Sequence, residues 1–152
     1  MATHTDFPNE TPSSLPQWLQ LQAQRHGADI ALRHKHLGIW QVQTWGQVAE
    51  EVQRLANALY IRGFSLGATL TIISRPRPQA LLAALAAQWL GGVASLFDPL
   101  DSAPEQVQLL GSLQPDFVLV EGAQECLRLQ AAQVTARVLI YLDKRGLPDS
   151  DP

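Results

Sequence analysis

The chain has 152 residues, enough for one domain with a real hydrophobic core and too few for two domains of ordinary size. Hydrophobic residues make up 46% of it, which excludes a disordered chain, and the net charge of −3 argues against general binding to nucleic acid or anionic membranes. The single cysteine, Cys126, excludes an internal disulfide and favours a reducing compartment, so we expect a cytoplasmic protein.

The N-terminal region predicts a short lead-in followed by a helix. Residues 1–13 have neither the apolar stretch nor the basic start of a signal peptide, so we expect them to be disordered. Ser14 can cap a helix while Gln17 reaches back to the cap. That helix should end near His26, because Gly27 can take the left-handed conformation that helix ends favour.

A β-hairpin is predicted next. The runs Ile30–Lys35 and Ile39–Gln43 flank a turn around Gly38. His34 and His36 share one face of the first strand, and this two-residue spacing can chelate a metal. No Cys, Asp or Glu nearby supports a metal site, so a polar strand edge that deters unwanted strand pairing is the favoured interpretation.

A longer second helix follows the hairpin. Thr44 and Gln47 repeat the capping pattern, and Gly63 is expected to end the helix. Apolar residues recur along it at spacings of three and four and predict a buried face: Trp45, Val48, Val52, Leu55 and Leu59. The four tryptophans occupy helix or strand positions that suit core packing: Trp18, Trp40, Trp45 and Trp89.

The second half of the chain predicts a parallel sheet. Four apolar runs are separated by helix-length segments: Thr69–Ser74, Val93–Asp98, Phe117–Glu121 and Arg137–Asp143. Uniformly apolar strands are typical of parallel sheets that helices cover on both faces. The spacing suits strand–helix–strand units with right-handed crossovers. We therefore predict an α/β fold with a doubly wound, mainly parallel sheet and flanking helices, preceded by a helix and a short hairpin.

Residues 79–97 carry no charge, which raises the question of a membrane span. A helix over Gln79–Leu90, a stop at Gly91 and Gly92, and a following strand explain the segment better, so no transmembrane segment is predicted. The helix has almost no polar face, and such helices are usually buried all round. Four strands could not easily cover it on both sides, so we expect the folded context to extend beyond these residues.

The candidate binding residues are Arg75 and Arg77. They lie between a predicted strand end and a helix start, where α/β proteins bind ligands and where helix N-termini attract anions. Two arginines there could hold a phosphate or a carboxylate. A surface turn stiffened by proline, with solvated charges, is the favoured interpretation.

Other polar residues offer no catalytic arrangement. Asp98 and Asp101 could be an acid/base pair or part of a magnesium site, but turn formation by Asp98 and helix capping by Asp101 or Ser102 are simpler. Cys126 is interpreted as a packed or idle thiol. The sequence has no phosphate-binding glycine loop and no nucleophile elbow, so it predicts no catalytic residue, bound metal or bound cofactor.

Three segments together resemble the AMP-forming acyl-CoA synthetases, especially the long-chain fatty acid branch. Residues 14–59 resemble the opening of these enzymes, "RPQALLAALAAQWLGGVAS" resembles their first strand–helix–strand unit, and "VLIYLDKRGL" resembles a segment shortly before their phosphate loop. The resemblance implies that residues 14–152 are a truncated N-terminal part of an AMP-binding domain. Ser74, Arg75 and Pro76 depart from the Gly-Asp-Asn that the family commonly has there, and Ala80 replaces a large aromatic residue.

The resemblance also implies a reaction. The family uses ATP, Mg²⁺ and coenzyme A to form an acyl-adenylate and then an acyl-CoA thioester. Its phosphate loop and catalytic lysine lie downstream of the matched region, so no catalytic residue carries over and this chain is expected to be inactive alone. Its partner would be the remainder of the ligase, in cis or as a complementary chain, and peripheral membrane association would belong to the full enzyme.

Two alternatives remain open at this stage. One is a stand-alone, non-catalytic module that pairs with a separate ligase half, or a degenerate paralogue, with the apolar Gln79–Leu90 helix as its interaction surface. The other is an autonomous enzyme that acts through Arg75, Arg77 and Asp98.

Overall fold

The computed structural model describes residues 11–100 and 104–145. Most of the predicted lead-in, at 1–10, and the predicted capping residues Asp101 and Ser102 lie outside the described residues. The elements follow in this order: α1 (Leu15–His26), β1 (Ile30–His36), β2 (Ile39–Thr44), α2 (Trp45–Ile61), β3 (Thr69–Ile73), α3 (Pro78–Trp89), β4 (Val93–Phe97), α4 (Pro104–Leu113), β5 (Phe117–Val120), α5 (Ala123–Ala131) and β6 (Val138–Tyr141).

The predicted caps begin the first two helices. At α2 the box is complete, since the Gln47 amide donates to Thr44 Oγ1 at 3.3 Å and the Thr44 amide donates to Gln47 Oε1 at 2.9 Å. At α1 the Gln17 amide donates to Ser14 Oγ at 3.4 Å. The side chain of Gln17 was expected to accept from the Ser14 amide. Instead, Gln17 Oε1 accepts from the Ser13 amide at 2.7 Å.

The predicted role of Gly27 is wrong, whereas that of Gly63 is confirmed. Gly27 has a φ of −54°, in the right-handed region, and not the left-handed conformation. A Cβ atom there would lie 2.6 Å from the carbonyl oxygen of Ala23, and the Gly27 carbonyl accepts a hydrogen bond from the Gly46 amide at 3.0 Å. Lack of space beside the last turn of α1, and not a left-handed φ, therefore favours glycine here. Gly63 has a φ of +90° just after α2.

The predicted hairpin is confirmed, but two tryptophans lie outside the core. β1 and β2 pair antiparallel around Leu37 and Gly38, whose φ values are 48° and 82°, as a two-residue hairpin turn requires. Trp40 is 67% exposed and Trp18 is 42% exposed, so their predicted core packing is wrong. For Trp40 the cause is that a two-stranded ribbon has two faces, and α2 covers only one of them.

The sheet is parallel, with the order β4-β3-β5-β6. The central strands β3 and β5 are buried almost throughout, as predicted for strands covered on both faces. The edge strands β4 and β6 are only partly buried, because each has one neighbour among the described strands. Val93 and Leu96 on β4 are 56% and 61% exposed.

Helices cover both faces of the sheet, which confirms the doubly wound architecture. On one face, α1, α2 and α3 pack on alternate residues of the central strands, including Leu70, Ile72 and Phe117. On the other face, Leu110 of α4 and Leu129 of α5 pack on the intervening residues. The chain winds in one direction from β3 to β4 and in the other from β5 to β6.

The apolar helix α3 is buried within this chain. Its small side chains allow α1 and α2 to pack on it from one side while β3 and β4 contact it from the other. The expectation that these strands and helices could not cover it is therefore wrong, and so is its assignment as an exposed interaction surface, although Leu81 is 45% exposed. Among the described helices none combines the length and hydropathy needed to cross a membrane.

Asp116 ties together the amino-terminal ends of three strands. Its Oδ2 atom accepts from the amide of Thr69 at 2.9 Å and from the Thr69 hydroxyl at 3.2 Å. Its carbonyl accepts from the amide of Arg137, which precedes β6. The backbone hydrogen bond from Thr69 is the main reason that the pKa of Asp116 is lowered from 3.8.

Candidate functional site

An open groove of about 1360 Å³ runs between the hairpin and the carboxyl-terminal ends of the parallel strands. We call it the carboxyl-edge groove. Residues that follow three strands line it: Arg75 and Arg77 after β3, Asp98 after β4, and Asp143 and Arg145 after β6. This is the edge at which α/β sheets bind their ligands.

Glu121, the first residue after β5, organises the β3–α3 loop beside this groove. Its Oε1 atom accepts from the amide of Arg75 at 2.7 Å and from the hydroxyl of Ser74 at 2.9 Å. Its Oε2 atom accepts from Nε of Arg75 at 3.1 Å, and Nε of Arg77 lies 3.1 Å from Oε1. One carboxylate therefore holds both candidate arginines and the main chain of their loop.

The charges of this cluster are unequally exposed. The Glu121 side chain is 11% exposed, whereas those of Arg75 and Arg77 are 54% and 43% exposed. The carboxylate is thus largely shielded from solvent, while the guanidinium groups remain accessible. The interpretation of this turn as merely solvated charge, favoured from the sequence, omits the shared carboxylate.

The electrostatics of Glu121 follow from these contacts. Burial alone would raise its pKa, but the hydrogen bonds from Ser74 and Arg75, together with the charge of Arg77, lower the pKa below its usual value of 4.5. The carboxylate is therefore ionised at neutral pH. Two positive charges and one negative charge meet at this point.

The other carboxylates along the groove have partners of their own. Both oxygens of Asp143 accept hydrogen bonds from Arg145, at 2.6 to 3.1 Å, and these bonds lower the pKa of Asp143 from 3.8 to about 2. Asp98 Oδ1 accepts from the amide of Leu100 at 2.8 Å, the turn contact predicted for it. Its pairing with Asp101 lies outside the described residues.

The histidines of the described residues lie in two places. His34 and His36 line the carboxyl-edge groove from the hairpin, together with Lys35, which stacks over Trp40 at 5.9 Å. His26 pairs with Asp29 at the end of α1, at 3.2 Å. Across residues 11–100 and 104–145, no three His, Cys, Asp or Glu side chains converge as metal ligands.

Cys126 lies on α5, away from the groove, and packs partly buried beside the apolar cluster of that face. Burial is the main reason that its pKa is raised above 9.0, with the charge of Glu125 adding to the effect. The structure thus agrees with the interpretation of a packed thiol, because little reactive thiolate forms at neutral pH.

The groove contains residues that the sequence did not single out as functional. Glu121, Asp143 and Arg145 line or organise it, whereas the sequence singled out other residues of the groove: Arg75, Arg77, Asp98, His34 and His36. The sequence did contain a signal for them, because each of the four predicted strands ends on a polar residue: Ser74, Asp98, Glu121 and Asp143. Parallel strands bring such residues to the same edge of a sheet.

The switch in winding direction falls at this cluster. β3 leads into α3 on one face, and the adjacent β5 leads into α5 on the other, so a crevice opens between their carboxyl ends. Ser74, Arg75 and Glu121 occupy that crevice. The arrangement can orient two guanidinium groups toward an anion, and it includes no nucleophile paired with a base among the described residues.

Comparison with known proteins assigns the family. The sequence profile described as "AMP-binding enzyme" matches residues 19–151. The chain belongs to the AMP-binding enzyme family. Its parallel sheet with flanking helices matches part of the N-terminal domain of adenylate-forming enzymes. No curated protein sequence matches the chain significantly.

Solved structures share the fold at low sequence identity. A luciferase-like enzyme from the mealworm Zophobas morio is 19% identical with a TM-score of 0.76, over 95% of this chain and 36% of that protein. A fatty acyl CoA synthetase of Mycobacterium tuberculosis is 18% identical with a TM-score of 0.70, over 83% of this chain and 26% of that one. The O-succinylbenzoate coenzyme A synthetase of Bacillus subtilis is 24% identical with a TM-score of 0.67, over 80% and 32%. The chain thus spans about a quarter to a third of these proteins.

Proposed function

We propose that this chain forms the N-terminal part of an ATP-dependent ligase that joins a long-chain fatty acid to coenzyme A in the cytoplasm. The match of the AMP-binding enzyme family over residues 19–151 carries the proposal. The resemblance of residues 14–59 to the long-chain branch supports a fatty acid as the substrate. The similarity in fold to a fatty acyl CoA synthetase is consistent with it.

In this proposal the chain supplies scaffold and not chemistry. The fatty acid carboxylate would attack the α-phosphorus of ATP and release pyrophosphate, and the thiol of coenzyme A would then displace AMP from the acyl-adenylate. The reaction needs the family's phosphate loop and catalytic lysine, and neither has a counterpart in this sequence. We therefore expect the chain to catalyse neither step alone.

The proposed docking surface for the remainder of the ligase is the β6 edge. Among the described strands β6 pairs with β5 alone, so its outer edge is open to a further strand. Beside it lies an apolar cleft of about 390 Å³, between α2 and α3 on one side and the last strands on the other. Leu55, Leu82 and Ile140 line this cleft, and Leu139 at its rim is 37% exposed.

ATP–pyrophosphate exchange tests the proposal. The purified chain would be assayed alone and with a polypeptide that carries the rest of a family ligase from its phosphate loop onward, with hexadecanoate or O-succinylbenzoate as the acid. We expect exchange only from the mixture, and a preference for hexadecanoate. Exchange by the chain alone would contradict its role as scaffold, and a preference for O-succinylbenzoate would contradict the substrate class.

A second candidate function is a stand-alone module that pairs with a separately encoded ligase half. The open β6 edge and its apolar cleft favour this too, since exposed apolar surface of this kind marks binding sites. Size measurement in solution separates the candidates. A module should form a defined complex or oligomer by itself, whereas part of a larger domain should stay unassembled until the rest of the ligase is added.

A further inference from the structure

The guanidinium groups of Arg75 and Arg77 have hydrogen-bonding capacity that the fold does not use. Both arginines approach Glu121 through Nε. Within residues 11–100 and 104–145 their Nη amino groups make no hydrogen bond. A guanidinium has five N–H donors, and four of them are on the two Nη atoms. The Nη donors of both arginines therefore remain available to a ligand beside the carboxyl-edge groove.

Glu121 holds these two guanidinium groups in place and neutralises only one of their two positive charges. Its carboxylate is 11% exposed and holds the Ser74 hydroxyl and the Arg75 amide as well as the two Nε groups. A side chain held in this way loses less conformational freedom when it binds a ligand. The cluster keeps a net charge of +1, because one carboxylate faces two arginines.

The start of α3 adds to the positive charge. α3 begins directly after Arg77, with no side-chain cap and no acidic residue in its first turn, so the partial positive charge of the helix N-terminus is not offset there. Three carboxylates also line the groove: Glu51 pairs with Arg54, Asp98 accepts from the Leu100 amide, and Asp143 pairs with Arg145 and also feels the charge of Arg77.

We propose that Arg75 and Arg77 bind a phosphate group in the carboxyl-edge groove. A phosphate dianion matches two guanidinium charges, and its tetrahedral oxygens can accept from two forks that approach from different directions. The groove, at about 1360 Å³, has room for the group and for a molecule attached to it. This site goes beyond the proposed ligase function and does not depend on it.

An NMR titration of the full chain tests the site. Inorganic phosphate would be added to ¹⁵N-labelled protein at pH 7.5, with sodium chloride adjusted to hold the ionic strength constant. We expect saturable shifts of the amides in residues 74–79 and 121–122. Arg75→Gln and Arg77→Gln should each weaken binding about tenfold, the effect of losing one charge-assisted hydrogen bond. Arg25→Gln, which removes the same charge from α1, should leave the affinity unchanged.

Three results would overturn the proposal: shifts that do not saturate, equal shifts with acetate, and wild-type affinity in both groove variants. Arg77→Gln is the decisive variant, because the Arg77 side chain takes no part in the hydrogen bonds of Glu121 with the Ser74 hydroxyl and the Arg75 amide. Those bonds should therefore remain in the variant. If either variant loses its dispersed spectrum, the position of the shifts in the wild-type titration still decides, since shifts confined to other surfaces would contradict the site.

Discussion

Replacing Glu121 with alanine should destabilise the chain by about 2–4 kcal/mol. The change removes the acceptor of the Arg75 amide at 2.7 Å and of the Ser74 hydroxyl at 2.9 Å. Ser74 is half-buried and Arg75 is exposed, so water can replace part of each lost bond, and each loss costs about 1–2 kcal/mol. The two arginine contacts add little to this, because the guanidinium groups are 54% and 43% exposed and solvent screens them.

Urea unfolding followed by circular dichroism measures this loss. With a slope of about 2 kcal/mol per molar, typical of a chain of this size, the midpoint should fall by about 1–2 M. Glu121→Gln keeps a neutral acceptor and should lose about half as much. Glu50→Ala on the exposed side of α2 is the matched control and should stay within about 0.5 kcal/mol.

The dependence on pH gives a second check of the same contact. Because the folded state lowers the pKa of Glu121 below 4.5, its ionised form stabilises the fold above that pH, and this contribution is lost as the pH falls through the folded-state pKa. The stability difference between the parent and Glu121→Gln should therefore narrow below pH 4.5. A Glu121→Ala midpoint equal to that of the parent would refute the reasoning.

Three further predictions follow from packing. Gly92→Ala places a Cβ atom 2.7 Å from the carbonyl oxygen of Ala68 and should cost about 1–3 kcal/mol, measured as a fall in the thermal midpoint; an unchanged midpoint would mean that the strand shifts freely. Cys126, whose pKa is raised mainly by burial, should react with iodoacetamide more slowly than free cysteine at pH 7.5, and reaction at the rate of free cysteine would contradict its burial. Leu139→Asp should abolish pyrophosphate exchange in the mixture while the chain stays folded, whereas Leu127→Asp on α5 should not; equal exchange by both would place the docking surface elsewhere.

Local signals explain what the sequence predicted well. The Thr44 and Gln47 cap, the turn at Gly38 and the apolar strand runs each depend on residues a few positions apart, and the structure confirms them. The parallel sheet follows because uniformly apolar strands separated by helices have few other ways to be buried. The family resemblance reached the same fold from the order of three segments, and the family profile confirms it.

Long-range contacts explain what the sequence did not reveal. Glu121 meets Arg75 across 46 positions, and Asp116 meets Thr69 across 47, so no local pattern announces either contact. The burial of α3 depends on α1 and α2 returning over it, which no feature of α3 itself encodes. The prediction for Gly27 is wrong because a close contact with the Ala23 carbonyl, and not a left-handed φ, favours glycine there, and the sequence does not reveal such a contact.

The coding sequence beyond the Pro152 codon is the most direct test of the central claim, that this chain is the first part of an acyl-CoA ligase polypeptide. We predict that the reading frame continues into a loop rich in serine, threonine and glycine that contains a lysine, the phosphate loop that the family chemistry needs. A stop codon at that position would contradict the claim, and the ligase function would then require a separately encoded partner.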